Sequence, residues 1–261
     1  MLNIITIESA LEDFLAFWQR HFPEQNTLTR EVALARIDDK RRGYANTTAS
    51  DQEMIAYQDD VALVYGAYEN VAFQLATIVH IIRLAKRLPD EASIVSLGCG
   101  PASYELWLAL QTGHRFTLVD HSKGMLDRAS AIAAALGISE RFTIIQSDAA
   151  SVPSILSHSA DLVLCLNSMH WSRNWQQWIT EGARIVKRLA RVFVTCTFSM
   201  PRSMITPEDL GEIMSRYFHN EGADLLVPPV DVGDGMSAVS MRFYAMGRRK
   251  EKPPKPKKRK R

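Results

Sequence analysis

The sequence is short of cysteine, of long apolar runs and of internal repeats, and each shortage removes a class of protein. Its three cysteines, Cys99, Cys165 and Cys196, each sit inside or beside a predicted buried strand. They are too few and too scattered for a disulfide framework or a zinc site, so no metal is expected and a reducing compartment fits best. No apolar stretch approaches the roughly 20 residues that a membrane span needs. The N-terminal MLNIITIESALEDF has no basic leader before its apolar residues and soon turns acidic. A secretion signal is therefore not expected, and a cytoplasmic location is. No fixed-period self-similarity points to a solenoid or propeller. What is present is ordinary globular material, 46% hydrophobic and 23% charged, in a chain long enough for one large domain with appendages.

The net charge of +2 hides a division. Residues 248–261, RRKEKPPKPKKRKR, hold ten Lys/Arg and one Glu, which leaves 21 basic and 28 acidic residues in the rest of the chain. The tail has no apolar face to bury and is expected to be disordered. Such a run suits phosphate binding by counterion release, as in an RNA or ribosomal contact, and Pro256 to Arg261 resembles a nuclear import signal. A solubilising end is the plain alternative. The acidic body argues against a broad nucleic-acid face.

Residues 1–66 read as a helical cover. Ala10, Leu11, Phe14, Leu15 and Trp18 recur at helical spacing up to about His21-Phe22-Pro23. Thr27 to Asp39 could form a second helix, Arg41 to Gln52 is polar and irregular, and Asp51 to Ala67 is helical again. Tyr57, Tyr65 and Tyr68 there are either packing tyrosines or cleft-lining ones. From Glu69, Val71, Ala72, Leu75, Ile78, Val79 and Ile82 make one apolar stripe, and Pro89-Asp90 ends that helix. Residues 67–247 then alternate strand and helix. Strands are expected at Ile94–Leu97, Phe116–Val119, Phe142–Ile145, Leu162–Leu166 and Val192–Thr195. Helices follow the first, second and fourth of these, and Pro207 to Phe218 forms another with Thr206 as its cap. Two last strands are placed near Leu225–Val232 and Ser240–Met246. Short strand–helix connections predict parallel strands with right-handed crossovers, a Rossmann-like α/β sheet.

Ligands of such sheets bind beyond the carboxyl ends of the strands. Here four strands end in Gly98-Cys99-Gly100, Asp120, Asp148 and Asn167. The glycines allow a tight turn with φ > 0 and a close ligand approach, ahead of a helix whose N-terminus offers free N–H groups. A carboxylate closing the second strand can accept both hydroxyls of a ribose. A polar residue closing the third can take an adenine amine. This points to an adenosine-containing ligand. The dinucleotide fingerprint G-x-G-x-x-G/A matches only at Gly98 and Gly100, since bulky Tyr104 follows Ala102 and Ser103, and it leaves the acid of the third strand unexplained.

The segments VSLGCGPAS, LVDHSKGMLDRA, QSDAASVP and ADLVLCLNSMHW resemble the successive motifs of class I S-adenosylmethionine-dependent methyltransferases, over about residues 69–198. Asp120-His121-Ser122 with Met125-Leu126 is similar to the ubiquinone/menaquinone-biosynthesis branch. Asn167 to Trp171 is similar to the trans-aconitate and malonyl-carrier-protein methyltransferases. The resemblance implies a seven-stranded sheet binding S-adenosylmethionine. Gly98 and Gly100 would pass its methionine end, with Asn167 at the neighbouring strand end. Asp120 would hold the ribose, Asp148 and Ala149 the adenine, and His121 and Met125 would flank the ring. It also implies methyl transfer to a small or carrier-bound acceptor; the basic tail keeps an RNA- or ribosome-directed enzyme, or a non-catalytic assembly factor on the same fold, as the alternative. Two positions depart from the family. Ser96 stands where an acid usually helps to fix the loop and the amino end of the cofactor, and Lys187 to Arg191 replaces a Pro-Gly-Gly turn.

Methyl transfer from a sulfonium can run on positioning and desolvation. His170 is the candidate general base, because histidine titrates near neutrality. Packing on Trp171 is the other reading of it. Val194 to Thr197 resembles the Thr-Cys motif of RNA cytosine-5 methyltransferases. The partner Pro-Cys is missing at Leu166-Asn167-Ser168, however, so Cys196 is expected to be a buried strand cysteine. Asn167 is also followed by Ser168-Met169 and not by the Pro-Pro-aromatic sequence of amino-directed nucleic-acid enzymes.

Overall fold

The apolar runs become one seven-stranded sheet. A computed structural model of the protein describes residues 7–23, 50–62, 65, 71–197, 205–227 and 242–250. The strands are β1 (Ser93–Leu97), β2 (Arg115–Asp120), β3 (Phe142–Gln146), β4 (Ala160–Leu166), β5 (Val186–Thr197), β6 (Phe218–Val227) and β7 (Arg242–Arg249). Their spatial order is β3-β2-β1-β4-β5-β7-β6. The first five are parallel, and β7 runs antiparallel to both of its neighbours. Ile94 of β1 stands opposite Phe116 on one side and Leu162 on the other. The chain departs from β1 in both directions, first to β2 and β3 and later to β4, so a crevice opens at the carboxyl ends of these strands.

Seven helices cover the sheet among the described residues: α1 (Ile7–His21), α2 (Asp51–Ala62), α3 (Val71–Ala85), α4 (Ser103–Gln111), α5 (Lys123–Ala135), α6 (Trp175–Ile185) and α7 (Pro207–Tyr217). Strand residues alternate between faces. Ile94, Phe116, Leu118, Leu162, Leu164 and Phe193 pack with α1, α3, α4 and α5. Val95, Leu97, Val119, Val163, Val192 and Val194 pack with α6 and α7. Because Ser96 lies two residues from Ile94, it faces α4. That placement matters at the site below.

Two of the cover helices are tied down by carboxylates. In α1, Phe14 stacks on Tyr104, with ring centroids 5.7 Å apart, and meets Trp107 edge-on. Asp13 Oδ2 accepts hydrogen bonds from Trp107 Nε1 and Gln111 Nε2, each at 2.8 Å. In α2, Asp59 Oδ1 accepts from Ser122 Oγ at 2.6 Å and from the Gly124 N–H at 2.8 Å. Ser122 itself caps α5 by accepting from the Met125 N–H. The cover is thereby attached to the N-terminus of α5, where an anion is favoured.

Several expectations change in detail. Among the described side chains of α3 the buried ones are Gln74, Thr77, Ile78, Ile81, Ile82, Leu84 and Ala85, while Leu75 and Val79 are half-buried, so the stripe is rotated slightly. Thr206 caps α7 with Pro207 in its first turn, as the sequence predicts. β6 starts at Phe218, directly after α7 and seven residues before the expected Leu225. Lys187 to Ala190 do not form a separate turn. They are taken into the start of β5 as an irregularity against β4, with Leu189 at φ 63°. β7 runs to Arg249, and the Lys250 N–H bonds to the Tyr217 carbonyl, so Arg248 and Arg249 belong to the sheet and not to the tail. The helix expected over Thr27 to Asp39, Tyr68 and the tail from residue 251 lie outside the described residues.

Candidate functional site

The crevice is a cavity of about 490 Å³. It lies where β1, β2, β3 and β4 end, beneath α2. All eight residues expected to hold a ligand line it: Gly98, Gly100, Asp120, His121, Met125, Asp148, Ala149 and Asn167. Their backbone explains their identities. Gly98 has φ +67°, and a Cβ there would lie 2.6 Å from Ser168 and 2.7 Å from the Trp178 ring. Gly100 has φ +55°, and among the described residues beyond its chain neighbours only Tyr65 would lie within 4 Å of a Cβ there. Asn167 also takes a left-handed conformation, φ 50°, which Asn tolerates better than most residues. Its N–H donates to the carbonyl and the hydroxyl of Thr195 on β5.

Asp120 organises the edge. Its Oδ2 accepts from the Gly100 N–H at 2.8 Å and its Oδ1 from the Ser122 N–H at 2.9 Å. Each carboxylate oxygen keeps further acceptor capacity towards the cavity. Burial raises its pKa, against the opposing effect of His121 and the backbone hydrogen bonds. Asp148, at the edge strand, is exposed and accepts from the Ala150 N–H, while Ala149 is buried beneath it.

His170 needs correction. It is 1% exposed and lies off the cavity wall, in the 3₁₀ turn Met169–Trp171. Successive residues of such a turn splay about 120° apart, so one of the three faces the cavity. That one is Trp171, whose ring lies 6.1 Å from Tyr57 of α2. No general base is assigned at position 170. Cys196 is fully buried, and burial raises its thiol pKa; burial pushes Cys165 up to about 12. Neither thiol supplies a nucleophile. Tyr57 and Tyr65 both line the cavity, and Tyr65 also packs on Trp18 and Phe22.

Sequence reasoning passed over Glu105. This residue opens into the cavity from the first turn of α4 and is 1% exposed. Ser96 Oγ donates to its Oε1 at 2.6 Å. Its Oε2 is buried and accepts no hydrogen bond. Burial pushes its pKa up to about 7, against the pull of the Ser96 hydroxyl. A glutamate in a helix's first turn reads as a dipole-compensating surface residue, and only the near-total burial of α4 marks it as something else.

The cavity's charge is one-sided. Asp51, Glu105, Asp120 and Asp148 line it against Arg173 and His121. That balance suits a cationic ligand with hydroxyls and disfavours a pyrophosphate. Among the described residues, no cluster of His, Cys, Asp and Glu could hold a metal ion. No described helix is long and apolar enough to cross a membrane.

Comparison with known proteins agrees with this architecture. A family model described as a methyltransferase domain matches residues 94–188. No curated protein sequence matches the chain. Among solved structures, geranyl diphosphate C-methyltransferase from Streptomyces coelicolor A3(2), in complex with Mg2+, geranyl-S-thiolodiphosphate and S-adenosyl-L-homocysteine, is similar over 89% of this chain and 98% of its own, at TM-score 0.58 and 13% identity. A geranyl diphosphate methyltransferase in complex with GPP and sinefungin is similar over 70% of this chain and 80% of its own, at TM-score 0.58 and 12% identity. The [4+2]-cyclase SpnF is similar over 67% and 81%, at TM-score 0.56 and 14% identity. The chain therefore has the class I methyltransferase fold, and the cyclase shows that this fold is not bound to one reaction.

Two variants test the site's physical description. Gly98→Ala forces a Cβ against Ser168 and Trp178 at positive φ, and should destabilise the protein by about 2–4 kcal/mol in urea unfolding. Glu105 binds a proton in the folded state over a range where the unfolded chain, with an ordinary carboxyl pKa, does not. Its contribution to stability therefore falls as pH rises from the usual carboxylate range to about 7. Glu105→Gln should melt higher than wild type at pH 8, and the gap should close towards pH 4.5. Asp120, raised in the same direction, is present in both proteins and cancels in the comparison.

Proposed function

We propose that the protein is an S-adenosylmethionine-dependent methyltransferase acting on a small or carrier-bound acceptor. The carrying observation is the set of strand ends. Gly98, Gly100, Asp120, Asp148 and Asn167 line one cavity, where carboxylates outnumber cations. S-adenosylmethionine fits that chemistry: it carries a sulfonium, an ammonium and a ribose with two free hydroxyls, and when bound it supplies an activated methyl group. The glycine turn leaves room for the ligand's backbone approach, and Asp120 offers acceptors for the ribose hydroxyls. In this reading the Asp148 carboxylate takes the adenine amine and the Ala149 N–H a ring nitrogen, with His121 and Met125 at the ring's faces; all four residues line the cavity. The family match over 94–188 and the neighbours crystallised with S-adenosyl ligands support the same reading.

The acceptor side of the cavity is walled by Met54, Tyr57 and Trp171. Such a wall excludes water and orients an apolar or aromatic acceptor, the two contributions that methyl transfer most needs. The basic tail is the specific feature that favours the other reading, an RNA- or ribosome-directed enzyme or assembly factor.

Isothermal titration with S-adenosylhomocysteine tests the ligand. Wild type should bind, and Asp120→Asn, which loses an acceptor and the charge, should bind more weakly by about 1–3 kcal/mol. Absence of binding to wild type would refute the reading. For the acceptor, labelled S-adenosylmethionine is incubated with cell extract and either full-length or 1–250 protein. Label in a small-molecule or carrier fraction with both proteins is the expected result. Label in RNA that disappears with the tail would establish the alternative.

A further inference from the structure

The cavity holds one polar group that the ligand contacts above leave unused. Glu105 lines its glycine-turn end together with Cys99, Gly100 and Ser103, with the carboxylate buried just behind the surface. One of its oxygens is held by Ser96 at 2.6 Å, and the other has no partner. A buried carboxylate left half-satisfied is costly, and such groups are retained where something else completes them. Three kinds of partner could do so. A metal ion is disfavoured, because no described cluster offers a second and third ligand. Among the described residues no protein cation pairs with Glu105: none of the salt bridges involves it, although Arg173 lines the same cavity. A cation on the ligand remains.

We propose that Glu105, oriented by the Ser96 hydroxyl, is the anchor for an ammonium group on the ligand. Resting on the adenosyl reading above, this makes Glu105 the residue that recognises the amino-acid end and distinguishes S-adenosyl amino acids from plain adenosines. The local chain construction supports it. Strand alternation turns Ser96 towards α4, and the left-handed Ala102 (φ 56°) swings the start of α4 so that its third residue, Glu105, reaches back to β1. Asp120 holds the Gly100 N–H of the same turn, so two acidic residues line the cavity on either side of the turn in sequence. An ammonium brings three donors and a full charge to such a pair. It supplies the partner that Oε2 lacks and offsets the negative charge that gathers at this end of the cavity, where burial first and then Asp120 and Glu105 raise the pKa of the Cys99 thiol. The hydroxyl at position 96 thus acts as a positioning group, and the charge is delivered from the helix and not from the strand.

The test uses two probes that share the adenosine and differ at its far end: S-adenosylhomocysteine, which carries the ammonium, and 5′-methylthioadenosine, which lacks the amino-acid moiety. Both are titrated into wild type, Glu105→Gln and Glu105→Asp by calorimetry. Wild type should prefer S-adenosylhomocysteine. Glu105→Gln should lose roughly 10–100-fold in affinity for it while binding 5′-methylthioadenosine unchanged. Glu105→Asp, which keeps the charge, should retain more of the preference than Glu105→Gln. Equal binding of the two probes by wild type, an equal loss for both probes in Glu105→Gln, or no loss for either overturns the anchor and leaves the adenosyl site standing. Equal behaviour of the Gln and Asp variants also overturns it. Binding of neither probe to wild type overturns both readings together.

Discussion

The hydrogen bond from the Gly100 N–H to the Asp120 carboxylate sets the geometry on which the rest of the site depends. It closes the left-handed turn after β1 onto the end of β2, while the N–H groups of Gly98 and Cys99 bond to the Val119 carbonyl. With the turn held flat against β2, Gly98 is free of a side chain where Ser168 and Trp178 press in from β4's side, and α4 begins at a fixed angle. The same carboxylate takes the Ser122 N–H and so positions α5, whose N-terminus in turn receives Asp59 from the helical cover. A single acid therefore connects the sheet, both flanking helices and, through Ser122 and α5, the cover helix α2. Its raised pKa reflects the burial that this arrangement imposes.

Charge and packing divide the cavity's tasks. Glu105, Asp120 and Asp148 lie at the sheet side and Asp51 on α2, an arrangement suited to pairing with a ligand's hydroxyls and cations. Met54 and Tyr57 of α2 face this cavity together with Trp171 and give it an apolar wall. Burial keeps all three cysteine thiols protonated at neutral pH, which removes nucleophilic covalent catalysis by a thiol from the chemistry.

What was legible in the sequence was what a period of two and a glycine turn can encode. The strand ends Gly98, Asp120, Asp148 and Asn167 were readable because a buried strand shows as an apolar run and its polar terminus stands out. α1 and α7 were readable from their stripe and cap. Three things were not. Glu105 looks like any first-turn glutamate, and its burial comes with that of α4 as a whole, which tertiary packing and not local sequence decides. His170 seemed well placed by counting from the end of β4, but a 3₁₀ turn sends consecutive residues in different directions and put Trp171 there in its stead. β6 began early because His219 to Gly222 are held by pairing with β7 and not by their own propensity, a long-range term that no local window contains. The absence of an acid at Ser96 read as a defect in the motif, whereas in three dimensions the hydroxyl faces a carboxylate from α4.

The measurement that bears most directly on this structure is a crystal structure of the protein with S-adenosylhomocysteine. The adenosine should lie across the ends of β1, β2 and β3, with both ribose hydroxyls within hydrogen-bond distance of Asp120 and the adenine between His121 and Met125. A ligand bound elsewhere, or one lying in this cavity with its ribose turned away from Asp120, would contradict it.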